Sequence, residues 1–567
     1  MNIGLIAHDS KKTLLQDFCI AYRGILIKHS LYATGTTGRM VEEATGINVH
    51  KFLAGHLGGE NQLCTLIENN EIDMIKSVLI ANRGEIAIRI ARTARRMGIK
   101  TYVVRTAKEP EAVYLSAADA VINFPETDGN IPEFLDIDRL VGLAREYKID
   151  SLHPGYGYLS ENAKLAERCR DNGIVFIGPS PEVIRLMGDK VAAKGIAAQS
   201  GVPMLGASQG AVHTLDEARK IAKRLGYPVI IKAVSGGGGR GMRIVHHQDE
   251  LEQLYKIATA EAQVAFNDPS VFIEKYLENP KHIEFQIVAD NYGNVVHLGE
   301  RECSIQRKHQ KLMEEAPSPA LDERLRKKMA AAAVSLAKQA GYQSLGTVEF
   351  LLDHQKHFYF MEMNTRIQVE HPVTEEITGI DLVELQFNIA AGRKLPLRQS
   401  QIHLNGWSIE CRINAEDVQA GFSPSIGVIR QLRLPQGNHI RIETGIAPGS
   451  EITPFFDSMV AKLIVTGDTR EQAIERTLSA LERFHVKGIR TTIPFCKAVL
   501  HNETYRNGDF DTSFIETRLH STVWREPHEE LLAALFAVYT YTHENTPEIG
   551  PDTQIDPWVL NKRIRNL

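Results

Sequence analysis

Five side chains that can bind metals, bind anions or transfer protons alternate along a short segment near residue 365. They are Glu362, Asn364, Arg366, Gln368 and Glu370. The preceding run, 357–360, predicts a β-strand, and side chains two residues apart on a strand point the same way. If that strand stays regular, the first four of these side chains crowd one face. Burying such a row of polar and charged side chains costs free energy unless a ligand, an ion or other side chains neutralise the charges.

The chemistry available to this row is that of a metal-assisted reaction on an anion. Carboxylate and amide oxygens suit a hard cation such as Mg²⁺, Arg366 suits an oxyanion, and Glu370 remains as a candidate base. A solvated edge strand of mixed charge is the alternative. The apolar residues around the row and a second carboxylate strand, 347–351, argue against it.

The composition is that of a globular protein. The chain has 567 residues, enough for roughly three to five domains. Its net charge of −5, without a block of Lys and Arg, argues against a nucleic-acid partner. Its six cysteines form no CxxC pair, which predicts a reducing, cytoplasmic location. There is no apolar run of membrane-spanning length and no signal-peptide pattern, so no membrane association is expected.

The first 73 residues predict a small α/β unit. Residues 2–7 predict a buried strand, 14–27 have helical apolar spacing, and 31–38 predict a strand entering a turn rich in Gly and Thr. Amides and hydroxyls at such a turn can hold a phosphate at a helix N-terminus. The candidate phosphate-site residues are His8, Lys12, Thr34, Thr36, Thr37 and Gly55.

This unit resembles the first half of methylglyoxal synthase, a fold that also supplies a regulatory domain in carbamoyl phosphate synthetases. The resemblance rests on His8-Asp9, Lys12, Gly55 and Gly58-Gly-Glu-Asn-Gln62. Glu60 stands where the family has a catalytic aspartate, a displacement that can cost roughly a hundredfold in rate, and the family's second half has no counterpart. Three roles stay open: a phosphate-binding or regulatory remnant, a structural appendage, and a working synthase. The unfinished sheet edge predicts pairing with the next domain or another subunit.

The next unit predicts a doubly wound parallel sheet. A strand at 75–82, a helix from about 86 to 97 and a strand at 101–104 form a βαβ unit. The turn between strand and helix is not GxGxxG, so a nicotinamide cofactor is not indicated. Tyr156-Gly157 follows a later strand end, where ligands bind in such sheets. A plain structural turn is the alternative there.

Four consecutive glycines, 236–239, lie between two predicted strands. The first strand ends on Lys232 and the second begins at Met242. Glycine amides can wrap phosphates closely, and the loop is not a Walker A motif because no Gly-Lys-Ser/Thr follows. A glycine-rich hairpin predicts a mobile lid over a nucleotide, with the strand 272–277 beside it. The flanking strands argue against a simple flexible linker.

Charged residues also interrupt later strands. His282 and Glu284 share a strand face, the run 300–311 is basic and rich in amides, and Arg412 lies inside an otherwise apolar strand. Alone, the basic run would be a solvated surface strand. A buried arginine, however, requires an anion or a ligand.

Together these features resemble biotin carboxylase, an ATP-grasp enzyme, from about residue 74 to 514. The resemblance rests on Lys190, Lys232, the glycine loop, Glu274-Lys275-Tyr276, His282, Glu284, Gln306 to Lys311, Glu349, Glu362 to Glu370 and Arg412. Lys308 departs from the arginine of many relatives, which keeps the charge but loses bidentate geometry. The implied fold is α/β: an ATP-grasp with a doubly wound N-terminal domain, a mobile lid domain and a C-terminal α+β domain.

The resemblance implies a domain order that includes the N-terminal fragment. The domains are the partial methylglyoxal synthase-like fragment (1–73), the N-terminal domain (74–187), the lid and linker (188–277), the catalytic core (278–410), the C-terminal domain (411–524) and a helical and loop tail (525–567).

The resemblance also implies the MgATP-dependent carboxylation of biotin by bicarbonate through carboxyphosphate. The implied ATP-binding residues are Lys190, Lys232, Gly236, Gly237, Gly238, Gly239, Met242, Glu274, Lys275, Leu277, His282, Gln306 and His309. The implied ligands of Mg²⁺ or Mn²⁺ are Glu349, Glu362 and Asn364. The implied bicarbonate and biotin contacts are Arg366, Gln368, Val369, Tyr156, Gly157, Glu284 and Arg412. Glu370 would deprotonate bicarbonate, Lys311 would contact phosphate or carboxyphosphate, and Arg412 would stabilise the biotin oxyanion.

The implied partners are a biotin carboxyl carrier protein, carboxyltransferase subunits and a second copy of the chain. No Ala/Val-Met-Lys-Met motif occurs, so the biotin carrier is expected on another polypeptide or in an omitted portion. The tail predicts an amphipathic helix at 529–538 and a loop at 545–557. The final carboxyl acceptor, whether acetyl-CoA in fatty acid synthesis, propionyl-CoA, another acyl-CoA or pyruvate, stays open.

Two other functions are compatible with parts of this sequence. A carbamoyl-phosphate-synthetase-like ligase would duplicate its ATP-grasp half and place the small domain last, whereas here one copy follows the fragment. A catalytically silent regulatory subunit would have lost Glu349, Glu362, Glu370 or Arg412, and all four are present. Silence would then require the fragment to block the site.

Overall fold

The computed structural model describes residues 2–53, 75–124, 132–208, 210–234, 242–266, 268–519 and 529–544. The chain divides into two compact units, Met1–His520 and Ser521–Leu567. Gly55, Gly236 to Gly239 and the predicted loop 545–557 lie outside the described residues. Among the described helices, none combines the length and the apolar character needed to cross a membrane.

Residues 2–53 form a small parallel sheet with its helices. The strands are β1 (Asn2–Leu5), β2 (Ser30–Ala33) and β3 (Val49–Lys51), in the order β1-β2-β3. The helices are α1 (Lys12–Ala21), α2 (Arg23–Leu26) and α3 (Gly35–Thr45). The helix predicted over 14–27 is interrupted at Tyr22, whose backbone leaves the helical conformation. Leu5, Leu31 and Val41 lie in a buried apolar cluster that belongs to this fragment.

The second part is a five-stranded parallel sheet in the order β6-β5-β4-β7-β8. Its strands are β4 (Ser77–Ile80), β5 (Lys100–Arg105), β6 (Ala120–Asn123), β7 (Ser151–His153) and β8 (Val175–Phe176). Its helices are α4 (Gly84–Arg96), α5 (Val113–Ser116), α6 (Ile137–Glu146) and α7 (Ala163–Asp171). Every residue of β4 is buried, as in a strand covered on both faces. The predicted doubly wound sheet is confirmed.

A three-stranded antiparallel sheet follows, in the order β10-β9-β11. Its strands are β9 (Val229–Ala233), β10 (Met242–Val245) and β11 (Val271–Lys275). The helices before and around it are α8 (Pro181–Gly188), α9 (Lys190–Gln199), α10 (Leu215–Leu225) and α11 (Leu251–Phe266). Thr214 begins α10 with a capping box to Glu217, which satisfies backbone donors that the first turn leaves free. Ile231 and Ile273 lie in the separate apolar core of this sheet.

The largest element is an antiparallel sheet of eight strands. Its strands are β12 (Lys281–Ala289), β13 (Val295–Arg307), β14 (Gln310–Ala316), β15 (Ser344–Leu352), β16 (Phe358–Asn364), β17 (Trp407–Asn414), β22 (Ile440–Thr444) and β24 (Met459–Gly467). They follow the order β16-β15-β12-β13-β14-β17-β24-β22. The helices α12 (Glu323–Gln339), α13 (His371–Thr378) and α14 (Leu382–Ala390) come between these strands.

Ionisable residues lie opposite one another across much of this sheet. The opposed pairs are Glu362 with Glu349, Glu349 with Glu284, Glu284 with Arg301, Glu314 with Glu410, Arg412 with Lys462, and Lys462 with Glu443. Several of these pairs carry like charges, which repel when they face each other on adjacent strands. This charged row is the framework of the candidate site.

Smaller elements complete the chain. Two-stranded sheets pair β18 (Glu416–Asp417) with β19 (Ser423–Pro424), β20 (Gly427–Val428) with β23 (Glu451–Ile452), and β21 (Gln431–Arg433) with β25 (His485–Lys487). Helices α15 (Arg470–Arg483), α16 (Ile493–His501), α17 (Glu503–Arg506) and α18 (Phe514–Arg518) follow. In the second unit, α19 (Glu529–Glu544) confirms the predicted tail helix.

Candidate active site

Glu349 on β15 and Glu362 on β16 are directly opposed and form a carboxylate pair. Desolvation and the neighbouring Glu349 raise the pKa of Glu362, although the accessibility of its side chain is that of an exposed residue. Asn364 Nδ2 donates to Glu349 Oε1 at 2.8 Å. A divalent cation between the carboxylates would relieve their repulsion, and such oxygen donors suit Mg²⁺ or Mn²⁺. The donor set fits the metal site predicted from the sequence.

Lys311 on β14 lies among three carboxylates. Its Nζ donates to Glu284 Oε2 at 2.6 Å, Glu349 Oε1 at 3.0 Å and Glu370 Oε1 at 2.8 Å. Burial alone would lower the pKa of Lys311, but these carboxylates raise it well above its ordinary value. His282, Glu284 and Glu349 also bring ligand atoms within 4.8 Å of one another. The Lys311 ammonium at their centre opposes a second cation there.

Glu370, at the start of α13, is held by two cations. Its Oε1 accepts from Lys311, and its Oε2 accepts from Arg412 at 2.8 Å. Burial opposes its ionisation, but Lys311 and Arg412 keep the pKa of Glu370 well below the ordinary range. Arg412 Nε also donates to Glu314 Oε1 at 2.7 Å. The buried anion that the sequence required for Arg412 is therefore a pair of carboxylates.

The predicted alternation of the segment near residue 365 is wrong beyond Asn364. The strand β16 ends there, because the next backbone N–H, that of Thr365, donates to Glu161 Oε1 at 3.0 Å instead of continuing the ladder. Arg366 still reaches the site: it donates to Asn364 Oδ1 at 3.1 Å and to Gln368 Oε1 at 2.9 Å. Its Nε donates to Glu161 Oε2 at 3.0 Å, a partner that the sequence analysis missed.

Glu284 is paired with a fully buried arginine, Arg301. Arg301 Nε donates to Glu284, and its NH1 donates to Gln286 Oε1 at 2.8 Å and Thr374 Oγ1 at 2.9 Å. Sequence reasoning did not select Arg301. The signal used for Arg412, a cation inside a buried strand, was present at Arg301 as well.

Two lysines hold Glu274 beside the three-stranded sheet. Lys232 Nζ donates to Glu274 Oε2 at 2.6 Å, and Lys194 contacts the other oxygen. Burial raises the pKa of Glu274, but the two lysines outweigh it and lower the value to about 2. Lys194 was not predicted, although it is four residues after Lys190 in α9 and so shares its face.

The other residues predicted to bind ATP divide into two groups. His282 Nε2 pairs with Glu349 Oε2 at 2.8 Å, and Gln306 Nε2 lies 3.3 Å from His282 Nδ1. Burial opposes protonation of His282, but Glu349 raises its pKa. The second group is not part of this cluster. Lys275 donates to the backbone carbonyl oxygens of Gly226 and Tyr227. Met242 begins β10 and Leu277 follows β11, and both are half-buried, whereas His309 is exposed in the β13–β14 turn.

Tyr156 and Gly157 lie in the loop after β7, next to the end of β4. Asn82 Nδ2 donates to the carbonyl oxygens of Pro154 at 2.7 Å and Tyr156 at 2.8 Å. The Tyr156 hydroxyl donates to Glu85 on α4. Burial and Glu85 together raise the pKa of Tyr156 well above its ordinary value. The loop therefore presents a fixed, neutral phenol.

In the N-terminal fragment, the structure brings together only some of the predicted phosphate-site residues. Lys12 Nζ donates to Thr36 Oγ1 at 3.0 Å, and Thr34 Oγ1 donates to Thr37 Oγ1 at 3.1 Å. His8 is exposed, and its ring pairs with Ser10 at 3.0 Å. Gly55 lies outside the described residues.

Known families match most of this chain. Residues 74–184 match the biotin carboxylase N-terminal domain, 189–398 the carbamoyl-phosphate synthase L chain ATP-binding domain, and 410–517 the biotin carboxylase C-terminal domain. Biotin carboxylase 1 of Bacillus subtilis is 48% identical over 446 residues, which cover 78% of this chain and 99% of the relative. The chain belongs to the biotin carboxylase family. The resemblance and the ATP-grasp α/β fold predicted from the sequence are confirmed.

Solved biotin carboxylase structures have the same architecture. The biotin carboxylase domain dimer of Hydrogenobacter thermophilus 2-oxoglutarate carboxylase, in complex with MgADP, ADP and bicarbonate, has a TM-score of 0.75 and 47% identity, over 80% of this chain and all of that chain. The Campylobacter jejuni biotin carboxylase in complex with β,γ-ATP has a TM-score of 0.74 and 44% identity, over 78% of this chain and 98% of that chain. These relatives favour a biotin carboxylase over a carbamoyl-phosphate-synthetase-like ligase or a silent subunit.

The N-terminal resemblance is also confirmed. Residues 18–103 match an MGS-like domain. This match continues past residue 73 into β4, α4 and β5, so it overlaps the biotin carboxylase N-terminal match between residues 74 and 103.

Proposed function

We propose that this chain catalyses the first half-reaction of a biotin-dependent carboxylase, the MgATP-dependent carboxylation of biotin by bicarbonate. The observation that carries the proposal is the position of Glu370 between Lys311 and Arg412. An ionised carboxylate lies beside two cations, and Lys311 links it to the Glu349–Glu362 pair. This arrangement suits an anion that must lose a proton next to a phosphoryl donor.

Glu349, Glu362 and Asn364 would hold Mg²⁺ or Mn²⁺. When bound, the cation would neutralise negative charge on the phosphoryl group during its transfer. The two opposed carboxylates and the adjacent amide support this assignment.

ATP would bind between the three-stranded sheet and the large sheet. The proposed contacts are Lys190, Lys232, Gly236 to Gly239, Met242, Glu274, Lys275, Leu277, His282, Gln306 and His309. The lysines that hold Glu274 support phosphate binding, because an entering triphosphate can replace that carboxylate as their counter-ion. The domain boundaries predicted from the sequence are part of this proposal.

Bicarbonate would bind against Arg366, Gln368 and the backbone of Val369. Glu370 accepts the bicarbonate proton, and the freed oxygen attacks the γ-phosphorus as the bond to ADP breaks, which gives carboxyphosphate. The low pKa of Glu370 keeps it ionised and ready, but also makes it a weak base. Proton transfer is therefore coupled to the phosphoryl transfer that consumes the deprotonated anion.

Carboxyphosphate then releases CO₂ and phosphate inside the site. The phosphate takes the N–H proton of biotin, the ring nitrogen attacks CO₂, and Arg412 stabilises the oxyanion that develops on the ring. Lys311 would hold the phosphate, while Glu284 and the Tyr156-Gly157 loop border the biotin subsite. Exclusion of water matters because carboxyphosphate hydrolyses readily.

The N-terminal fragment would retain a phosphate-binding surface rather than a synthase site. Lys12 and Thr36 supply its charge and its hydroxyl, and the hydrogen-bonded Thr34 and Thr37 are buried beside them. His8 and Gly55 complete the proposed set of residues. Glu60 in place of an aspartate argues against methylglyoxal synthesis. A regulatory anion is the ligand that this remnant fits best.

The chain would function within a larger carboxylase in the cytoplasm. A biotin carboxyl carrier protein would deliver biotin, carboxyltransferase subunits would choose the final acceptor, and two copies of this chain would form a dimer. The dimer of the biotin carboxylase domain of 2-oxoglutarate carboxylase supports the last point. The described cysteines are free and buried, which is compatible with a reducing compartment.

Phosphate release from MgATP and bicarbonate, with and without free biotin, tests the proposal. We expect biotin to stimulate release by the wild type and Glu370→Gln to lower it at least about a hundredfold. Glu302→Gln is the matched control, because Glu302 is a buried glutamate of the same sheet that bonds Ser304 and Ser318 instead of the site. ATP turnover that ignores biotin in the wild type would contradict the proposed function.

A further inference from the structure

Lys462 on β24 is a buried lysine placed between the two substrate subsites. Its side chain has no exposed surface. Its Nζ donates to the carbonyl oxygen of Val369 at 2.7 Å and lies 3.0 Å from Glu85 Oε1. In the sheet register it is directly opposite Arg412. Nothing in the proposed mechanism uses this residue.

The bond to Val369 fixes the peptide that carries the base. The Val369 carbonyl belongs to the peptide unit joining Val369 to Glu370, and α13 begins at the next residue. Because a peptide unit is planar, holding its oxygen sets the direction in which the backbone of Glu370 leaves. The ammonium of Lys462 is thus a support for both the bicarbonate subsite and its base.

The contact with Glu85 reaches the opposite subsite. Glu85 accepts the hydroxyl of Tyr156, the aromatic side chain of the biotin loop. Lys462 Nζ lies 6.0 Å from the centroid of the same ring. A continuous chain of contacts therefore runs from Tyr156 through Glu85 and Lys462 to the Val369–Glu370 peptide.

A role in packing alone does not account for a lysine at this position. Burying an ammonium is expensive unless it is paired, and an apolar residue of similar size is often as stable or more stable. The titratable and charged groups that surround Lys462 are Glu85, Glu410, Glu443, Arg412 and His371. Within the described structure, the Val369 carbonyl is the hydrogen-bond acceptor of its ammonium and Glu85 is its ion-pair partner.

We propose that Lys462 is a positioning residue that couples the biotin subsite to the bicarbonate subsite. It fixes the Val369–Glu370 peptide on one side and, through Glu85, Tyr156 on the other. This inference rests on the proposed function. Its consequence is that a change confined to one subsite alters the affinity of the other.

Steady-state kinetics of Lys462→Met and Tyr156→Phe test the coupling. For Lys462→Met we expect KM for bicarbonate and KM for biotin each to rise about tenfold, with KM for MgATP within about twofold of wild type. Tyr156→Phe removes only the hydroxyl that Glu85 accepts, so a coupled chain predicts a rise in KM for bicarbonate as well as for biotin. The double variant should show less than the product of the two single effects.

Arg470→Met is the matched control. Arg470 is a half-buried cation that, like the fully buried Lys462, contacts one glutamate, here Glu315, and backbone carbonyl oxygens, here those of Tyr505 and Arg506. Within the described part of the chain, it contacts none of the site residues. We expect it to lower Tm while leaving every KM unchanged. If Lys462→Met lowers Tm and leaves the KM values for bicarbonate and biotin unchanged, Lys462 is structural and the inference fails.

The outcomes separate the inference from the function on which it rests. A wild type without biotin-dependent phosphate release overturns the proposed function itself. A wild type that responds to biotin, combined with a Tyr156→Phe variant whose KM for bicarbonate is unchanged, overturns only the coupling. The second result is decisive even if Lys462→Met does not fold.

Discussion

Glu349 and Glu362 are cross-strand neighbours, two carboxylates directly opposed on β15 and β16. Desolvation and then the neighbouring Glu349 raise the pKa of Glu362, although its side chain is partly exposed to solvent. His282 and Asn364 each donate a hydrogen bond to Glu349. Among the described residues, no comparable donor contacts the carboxylate of Glu362. In the proposed function, a divalent cation would offset this repulsion between the two carboxylates.

Replacing Glu362 by Gln should have opposite effects on stability and on metal binding. Without metal, loss of the repulsion should raise Tm by about 1 °C or more, while Mn²⁺ binding should weaken at least about tenfold. Thermal unfolding and Mn²⁺ titration followed by electron paramagnetic resonance measure the two effects. The exposed Glu323→Gln serves as a control for loss of a surface carboxylate. A lower Tm without metal would show that the pair is not strained.

Replacing Arg412 by Met should separate the two halves of the reaction. Arg412 is assigned to the biotin oxyanion, so carboxybiotin formation should fall at least about a hundredfold. Bicarbonate-dependent ATP hydrolysis without biotin should fall less, because Lys311 still holds Glu370.

Arg412→Lys supplies the control for charge. A lysine keeps the cation but lacks the fork that reaches both Glu314 and Glu370. Equal losses in both reactions for both variants would mean that Arg412 acts on the whole site and not on biotin. Carboxybiotin can be trapped with radiolabelled bicarbonate, and ADP release reports the hydrolysis.

Glu410→Gln should remove a pH dependence of stability. Within the described structure, neither carboxyl oxygen of Glu410 has a hydrogen-bond partner, and burial raises its pKa well above the ordinary value. A raised pKa means that the folded state binds the proton more tightly than the unfolded state. The stability it gives is therefore complete below an unfolded carboxyl pKa of about 4.3 and is lost as pH rises towards the folded pKa.

The comparison of wild type with Glu410→Gln isolates this single group. As pH rises above the unfolded carboxyl pKa of about 4.3, the free energy of unfolding of the wild type should fall relative to the variant, by at most about 1.4 kcal/mol per pH unit. Urea unfolding at several pH values measures the difference. Parallel pH profiles would show that Glu410 is ionised in the folded protein.

Deletion of residues 1–73 should leave biotin carboxylation within about twofold of the full chain. The buried apolar cluster of the fragment contains Leu5, Leu31 and Val41 and no residue of the following parallel sheet. Contacts that belong to different cores change stability nearly independently. Activity that appears only after the deletion would instead mean that the fragment blocks the site, as a silent regulatory subunit would require.

The sequence predicted the chemical types of the site residues better than it predicted which residues they contact. Arg412 inside an apolar strand required a buried anion, and the structure supplies two. Glu161 could not be found in the same way, because it lies 205 positions from Arg366 and no local pattern links them. Lys194 and Arg301 could have been predicted. Lys194 lies one helical turn after Lys190, and Arg301, like Arg412, is a cation inside a buried strand.

The error at Arg366 has a physical origin. Alternation of polar residues predicts a continuing strand, but a strand also needs a partner for each backbone N–H. Thr365 finds that partner in a distant carboxylate, and Pro372 then favours the start of α13. The alternation of polar residues predicted that Asn364, Arg366 and Gln368 come together. The path of the backbone between them depends on a hydrogen bond to a residue distant in the sequence.

The continuity of the eight-stranded sheet limits how this protein can be divided or recombined. The match to the C-terminal family begins at residue 410, yet that residue lies inside β17, which is bonded to β14 on one side and β24 on the other. A chain cut there would leave both pieces with open strand edges that favour aggregation. Chimeras among related carboxylases are therefore expected to tolerate exchange of the antiparallel sheet formed by β9, β10 and β11. They are expected to fail when the junction falls at residue 410.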